Sequence, residues 1–386
     1  MRQQTCLHIL GSSALHVSRV LKEARSFIRE GLAKRVVLLA KWNSGLQQFQ
    51  DLSPGISVRR IKLASRLLPS SLPWQIFKEM EWRRRVVRHA RELQPSTIFC
   101  HGLMLLRTAV EVKQKTGAGL VYDAHELETE TIGLKGAKKR LFSYLERRFI
   151  RECGAVICVS DSIADWYARH YGITRPAVVR NIPDLRNQAG FIGSDVIRDR
   201  FHIPRQDLIF IYQGGLAPGR RVEQMLRIFS RLQPNRHLVF MGFGPLEPII
   251  KEATSLRPNI HLVPAVPPEE VLKYSASADV GIVGVENSCL SYYFSLPNKM
   301  FEYLLAGIPV LVPDYPEMRR VIDTHGCGWV VPDGDDSWQS VIESLSFQSV
   351  TMPKEKARAV GGGFSWENEE VSLFAAHKQA VKAAQL

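Results

Sequence analysis

Ile209-Phe210-Ile211-Tyr212-Gln213-Gly214-Gly215-Leu216-Ala217-Pro218-Gly219-Arg220-Arg221-Val222 is the stretch on which the fold turns. Its β-branched and aromatic start predicts a strand over Ile209 to Gln213. The glycines and proline predict a turn, and helical spacing resumes over Val222 to Ser230. A strand that passes through a glycine turn into a helix is the repeating unit of a parallel α/β sheet. Working outward, the same alternation predicts strands near His237 to Gly242, Ile260 to Val263, Val280 to Val285, Val310 to Val312 and Trp329 to Val331, with another helix over Pro268 to Ser277. Upstream, an earlier series is predicted near Cys6 to Leu10, Val36 to Ala40, Val58 to Ile61, Thr97 to Cys100, Gly119 to Asp123, Val156 to Ser160 and Val178 to Asn181.

Two series predict two Rossmann-like, doubly wound parallel-sheet domains facing a cleft. A chain of 386 residues is long for one core and suits two domains of roughly 150 to 200 residues. The turn-rich stretch Asn181 to Ser194, with Pro183, Asn187, Gly190 and Gly193, is where few contacts would cross. The expected domains are 1–188 and 189–365. A helix over 366–386 follows the Gly361-Gly362-Gly363 breaker, offers Val371, Leu373, Phe374, Ala375 and Val381 for packing, and is expected to return to the first domain.

Hydrophobic residues make up 45% and charged residues 23% of the chain, the balance of an ordinary globular protein rather than a disordered or fibrous one. The apolar run Cys6 to Leu10 is too short for a signal peptide, and no run approaches the roughly 20 residues that span a bilayer, so a cytosolic location is expected. The six cysteines form no Cys-x-x-Cys pair and are expected to be buried thiols. A formal net charge of +13 points to anionic partners: nucleotide phosphates, a phosphorylated lipid carrier, an anionic membrane surface or nucleic acid.

In Gly214 to Arg221 the glycines let backbone approach a diphosphate, the next helix offers free N–H groups, and an arginine can neutralise phosphate oxygens. The alternative is a tight turn with solvated arginines. In Ser295-Leu296-Pro297-Asn298-Lys299-Met300-Phe301-Glu302, Pro297 suits the first turn of a helix ending at Gly307, with Lys299 and Glu302 on one face. That pair is either an ordinary surface ion pair or a ribose carboxylate beside a cation. His101-Gly102 and Asp123-Ala124-His125-Glu126 end strands of the first series, where open parallel sheets bind ligands. His125, flanked by Asp123 and Glu126, is the stronger of the two histidines. In the basic helix around Glu81 to Arg91, Trp82, Val86, Ala90 and Leu93 form an apolar stripe, with Arg84, Arg88 and Arg91 on another face. These arginines, and Lys138, Lys139, Arg140, Arg147, Arg148 and Arg151 farther on, either contact an anionic bilayer or are a solvated face.

As a set, these segments resemble the GT-B glycosyltransferases of glycosyltransferase family 4 over essentially the whole chain. Gly214 to Arg221 is similar to that family's phosphate loop, Gly242-Phe243-Gly244-Pro245 to its second glycine turn, and Glu302 to Val310 to its ribose-binding helix and following strand. Tyr122 to Glu126 and Val159 to Ser162 resemble segments of its first domain. The resemblance implies that Arg220 and the Gly214-Gly215 backbone bind the donor diphosphate, Glu302 the ribose, that the segment with Val266 flanks the base, and that His125 lies near the sugar and acceptor. Two departures stand out. Gly215 occupies the place of the family's loop arginine, so Lys299 or Arg221 would have to supply a second cation. Phe294 occupies the place of the first glutamate of its Glu-x(7)-Glu pair, leaving Ser295, Asn298 or Glu286 as stand-ins.

The implied function is transfer of a sugar from a nucleotide-sugar to a saccharide or lipid-linked saccharide acceptor in polysaccharide or glycoconjugate synthesis. Retention of configuration is implied, with no metal or other cofactor, at the cytosolic membrane face. Two alternatives stay open: a GT-B nucleotide-sugar 2-epimerase, which needs no acceptor, and a basic nucleic-acid-binding protein, which the charge favours and the lack of an aromatic-and-basic motif opposes.

Overall fold

The computed structural model describes residues 4–15, 17–186 and 194–385. The chain forms two compact units, Met1–Arg180 together with Glu369–Leu386, and Asn181–Asn368. The domain boundary expected at 188/189 lies outside the described residues.

The first unit contains β1 (Thr5–Ile9), β2 (Arg35–Lys41), β3 (Phe49–Ser53), β4 (Ile56–Ile61), β5 (Thr97–His101), β6 (Gly119–Asp123), β7 (Ala155–Cys158) and β8 (Ala177–Val178). They form one sheet in the order β3-β4-β2-β1-β5-β6-β7-β8. Every pair is parallel except β3–β4. The central strands β1, β5 and β6 are buried at every residue, as strands covered on both faces must be, which is why they are mostly apolar without alternating. β3 was not expected from the sequence. Its residues Phe-Gln-Asp-Leu-Ser are polar and largely exposed at the sheet edge, and they pair with β4 through a turn in which Gly55 holds φ +77°.

The second unit contains β9 (Leu208–Gly215), β10 (Arg236–Phe243), β11 (Ile260–Pro264), β12 (Val280–Ile282), β13 (Val310–Pro313) and β14 (Gly328–Val331), all parallel in the order β11-β10-β9-β12-β13-β14. Two hydrophobic clusters lie against it, one including Ile209, Ile211, Met300 and Phe301, the other Phe210, Tyr212, Met225 and Trp338. Alternate residues of β9 thus serve opposite clusters, the period-two consequence of a strand buried on both faces. β9 runs two residues beyond its expected end, because Gly214 and Gly215 stay in register with Gly242 and Phe243. β12 stops at Ile282, three residues short of its expected end.

The helix Trp366–Ala383 docks on the first sheet at two glycines: a Cβ on Gly119 would lie 2.5 Å from the Ala380 carbonyl oxygen, and one on Gly154 2.8 Å from Ala380 Cα. Glu370 accepts from Ser26 Oγ at 2.5 Å, and Glu369 accepts from the Arg180 backbone N–H at 2.7 Å. Leu373, Ala376, His377 and Ala380 are the buried residues of this face. Val371 and Ala375, expected to pack, are exposed. Of the six cysteines, Cys153 and Cys289 are only half-buried, which corrects the expectation that all are core thiols.

Candidate functional site

In the second unit, the ends of β9 and β10 are pressed together because both carry glycine. A Cβ on Gly242 would fall 2.0 Å from the Gly214 carbonyl oxygen, and one on Gly244 2.3 Å from that of Leu216. No side chain fits either place, so backbone lines the sheet's carboxyl edge there, with Gly214 and Gly215 exposed. Beneath it, Tyr303 Oη accepts from the Gln213 N–H at 2.8 Å and donates to the Ile211 carbonyl at 3.1 Å, fixing the helix Asn298–Leu305 to β9. That helix follows Pro297 and gives way to Gly307, whose φ of +73° suits glycine.

Four predicted residues meet at this edge. Lys299 Nζ lies 3.8 Å from the centre of the Tyr212 ring and 3.6 Å from where a Gly214 Cβ would stand. Burial and the nearby Arg220 charge push the Lys299 ammonium down to about 7, against the pull of Glu302. The Arg220 guanidinium stacks over Tyr292 at 4.8 Å. Glu302 accepts from Gln213 Nε2 at 2.5 Å, and Gln213 Oε1 in turn accepts from Ser275 Oγ, so the carboxylate is oriented from behind. Ser295 is less well placed: its hydroxyl donates to the Tyr292 carbonyl at 2.7 Å. Val266 stands two residues past β11, packed against the cluster that holds Leu296 and Met300.

Arg221 is not the second cation. Its backbone takes φ +57°, which turns the side chain inward, where it donates to the Val285 carbonyl at 2.7 Å, to Gln224 at 2.8 Å and to Asp333. Asp333-Gly334-Asp335 is an Asp-x-Asp triplet, but Arg221 holds its first carboxylate and Arg227 the other at 3.0 Å. Two cations, backbone amides and an oriented carboxylate at a sheet edge can hold a diphosphate with a polyhydroxyl group beside it.

In the first unit, His125 belongs to a buried network at the ends of β5 and β6. Arg19 grips Asp123 through both carboxylate oxygens, Nε–Oδ2 at 3.0 Å and Nη2–Oδ1 at 2.9 Å, and donates to the Val179 carbonyl at 2.8 Å. Burial alone would raise the Asp123 carboxyl. Arg19 and then His125 overcome it and hold the group well below the usual carboxylate range. The anionic Oδ2 accepts from His101 Nδ1 at 3.1 Å and from His125 Nε2 at 3.0 Å. His101 Nε2 is then left to accept from His8 Nδ1, 2.8 Å away. These assignments leave His125 Nδ1 as an acceptor on a side chain that is 41% exposed. His101, Asp123 and His125 also have the composition of a metal site. The Arg19 guanidinium 3.0 Å from the same Oδ2 would repel a dication there.

Sequence reading missed Arg19, Glu23, His8 and Glu128 in this network. Arg19 and Glu23 lie one turn apart on the first helix, Ser18–Arg29, and pair at 3.1 Å. The i,i+4 spacing was legible, but not that it points inward. Glu128 accepts from the Leu103 N–H at 3.3 Å beside Gly102, and burial raises its carboxyl to about 7 against the pull of that N–H and of His125. A carboxyl raised on folding contributes stability that is lost as pH rises through about 7. Glu128→Gln is therefore expected to melt above the wild type at pH values past neutrality, with the gap narrowing through mild acid and closing below the ordinary carboxyl value of 4.5. Equal melting curves across that range would refute the assignment.

Two largely parallel α/β units of this kind in one chain are the architecture of the GT-B fold. Residues 17–183 match the family described as glycosyl transferase 4-like domain, and residues 207–346 match glycosyl transferases group 1. The chain carries both of these domains, one in each unit, and is a glycosyltransferase. It is 21% identical over 314 residues, 79% of this chain and 76% of the relative, to TuaC of Bacillus subtilis (strain 168), named for a glycosyltransferase role in teichuronic acid biosynthesis. Among solved structures it resembles sucrose-phosphate synthase from Thermosynechococcus elongatus, with TM-score 0.78, 15% identity and 99% and 100% of the two chains covered. It also resembles Anabaena Alr3699/HepE in complex with UDP and glucose, with TM-score 0.73, 14% identity and 97% and 99% covered. Among the described residues, no helix is long and apolar enough to cross a membrane.

Proposed function

We propose that the chain transfers a glycosyl group from a nucleoside-diphosphate sugar to a saccharide or lipid-linked saccharide acceptor, with retention and without a metal, at an anionic membrane surface. One observation carries this reading: Lys299 stands against Gly214 at the glycine end of β9, close enough to Arg220 to feel its charge, with Glu302 oriented beside it by Gln213. The UDP complex of the HepE relative and the polysaccharide named for TuaC support the donor and acceptor classes. In this reading the bond from the sugar's anomeric carbon to the phosphate oxygen breaks, and its electrons go to the diphosphate. Arg220, Lys299 and the Gly214-Gly215 backbone favour that growing charge, the work other transferases assign to a metal. The acceptor hydroxyl oxygen bonds to the same face of the anomeric carbon, and its proton passes to the departing phosphate oxygen. Glu302 accepts from the ribose hydroxyls, the segment around Val266 flanks the base, and His125 Nδ1 accepts from a hydroxyl of the acceptor.

The test is thermal stabilisation by UDP, GDP, ADP and dTDP. A ligand at a hundred times its dissociation constant adds about 2.7 kcal/mol to the native state. One nucleotide should raise the melting temperature of the wild type, and Glu302→Ala and Arg220→Ala should abolish the rise. If none of the four shifts the wild type, the donor reading falls.

A further inference from the structure

The helix Leu72–Leu93 has two halves with different surroundings. From Trp82 onward it buries Trp82, Val86, Val87, Ala90 and Leu93. Between Leu72 and Met80 no residue is buried, although five of these nine are large and apolar: Leu72, Trp74, Ile76, Phe77 and Met80. Leu67, 84% exposed, is the most exposed of the chain's large apolar side chains among the described residues. It is held near the helix by Glu81, which accepts from the Ala64 and Ser65 N–H groups at 2.7 and 2.9 Å and so clamps the turn Ala64–Leu67.

This apolar surface is only in part a continuation of the packing face. At about 100° per residue, Leu72 and Ile76 fall in line with the buried residues, while Met80, Phe77 and Trp74 turn away from them over an arc of roughly 120°. Arg84, Arg88 and Arg91, all exposed, fall within the same outward arc farther along the helix. Their neighbours Arg83 and Arg85 are paired with Glu111 and Glu81. One side of the helix is therefore apolar for its first half and cationic for its second. Lys62 to Arg91 contains eight lysines and arginines against two glutamates.

We propose that this face is a monotopic membrane anchor: the turn Ala64–Leu67 and the first half of the helix insert among the acyl chains of an anionic bilayer, and Arg84, Arg88 and Arg91 meet the phosphate headgroups. Trp74 and Phe77, packed edge to face at 6.5 Å, are residues suited to the interface. The exposed stretch from Leu72 to Met80 is about 14 Å long, enough to enter one leaflet's surface and not to span. A protein partner would explain the apolar half but gives no reason for a continuing row of arginines that pair with no carboxylate among the described residues; an anionic bilayer accounts for both. The proposal deepens the reading of a lipid-linked acceptor by naming the surface that brings the enzyme to it.

The full chain is mixed with sedimentable vesicles of phosphatidylcholine, with and without phosphatidylglycerol. The wild type should sediment with the anionic vesicles and be released by salt. Trp74→Gln/Ile76→Gln/Phe77→Gln should bind them roughly a hundredfold more weakly, with its nucleotide-induced melting shift unchanged. Arg84→Glu/Arg88→Glu/Arg91→Glu should lose the preference for anionic over neutral vesicles. The proposal is overturned if the wild type ignores both vesicle types, if the triple glutamine variant binds as the wild type does, or if that variant instead dissociates a dimer. A wild type that sediments with vesicles but takes no nucleotide would leave the anchor standing and remove the transferase reading of the donor site.

Discussion

Lys299→Met is expected to weaken nucleoside-diphosphate binding by about 2 to 3 kcal/mol, and to remove most of its pH dependence. Lys299 is the residue that stands where the missing loop arginine would act, with Nζ 3.6 Å from the Cβ position of Gly214. In the free protein, burial and Arg220 hold its ammonium down to about 7. A bound nucleoside diphosphate, multiply negative at this pH, must raise it again. Above pH 7 the free lysine is neutral while the bound one is charged, so binding takes up a proton. Affinity then falls by up to about tenfold per pH unit in that range, and levels off below it where both states are charged. Calorimetric titration in buffers of different ionisation enthalpy reads the proton directly. Arg220→Met should also weaken binding, yet it removes a repelling charge, so the inflection should move to higher pH. A Lys299→Met protein with wild-type affinity and the wild-type pH slope would show that the lysine takes no part.

Much of this site was legible because its elements are local. Gly214 and Gly242 announce close backbone approach, and Pro297 and Gly307 bracket a helix whose spacing sets Lys299 and Glu302 on one side. The mostly apolar, non-alternating runs of β1, β5, β6 and β9 are what burial on both faces demands, so both sheets could be traced. Where the sequence was silent, tertiary context decided. β3 carries no apolar period because it lies at an edge. Arg220 and Arg221 are chemically identical neighbours, and the structure commits Arg221, at φ +57°, to interior partners while Arg220 stacks over Tyr292. Likewise the sequence does not show that the pattern Arg19-x-x-x-Glu23 faces Asp123, 104 residues away. The exposed apolar stretch from Leu72 to Met80 was hidden for the opposite reason: apolar residues at helical spacing read as core, and only the structure shows that nothing covers them.

The dependence of His125 on a distant helix leads to a second large effect. Asp123→Asn is expected to cost about 3 to 5 kcal/mol of stability, because it takes from the buried Arg19 charge the carboxylate that it grips through both oxygens. It should also lower turnover by roughly a hundredfold or more, since an amide can donate where the carboxylate only accepted, and the ring nitrogens of His101 and His125 lose the partner that fixes their tautomers. The pH dependence follows from the depressed carboxyl: its stabilisation is present above the ordinary carboxylate value of about 4 and is lost as pH falls through the lower folded value. The stability gap between wild type and variant should therefore be full near neutrality and narrow in strong acid. Arg19→Met separates packing from charge: alone it should destabilise by a similar amount, and combined with Asp123→Leu it should recover part of the loss, because the two groups were costly to bury and compensated one another. Strictly additive losses in the double variant, or an Asp123→Asn protein as stable and as active as the wild type, would mean that His125 is held by something other than this pair.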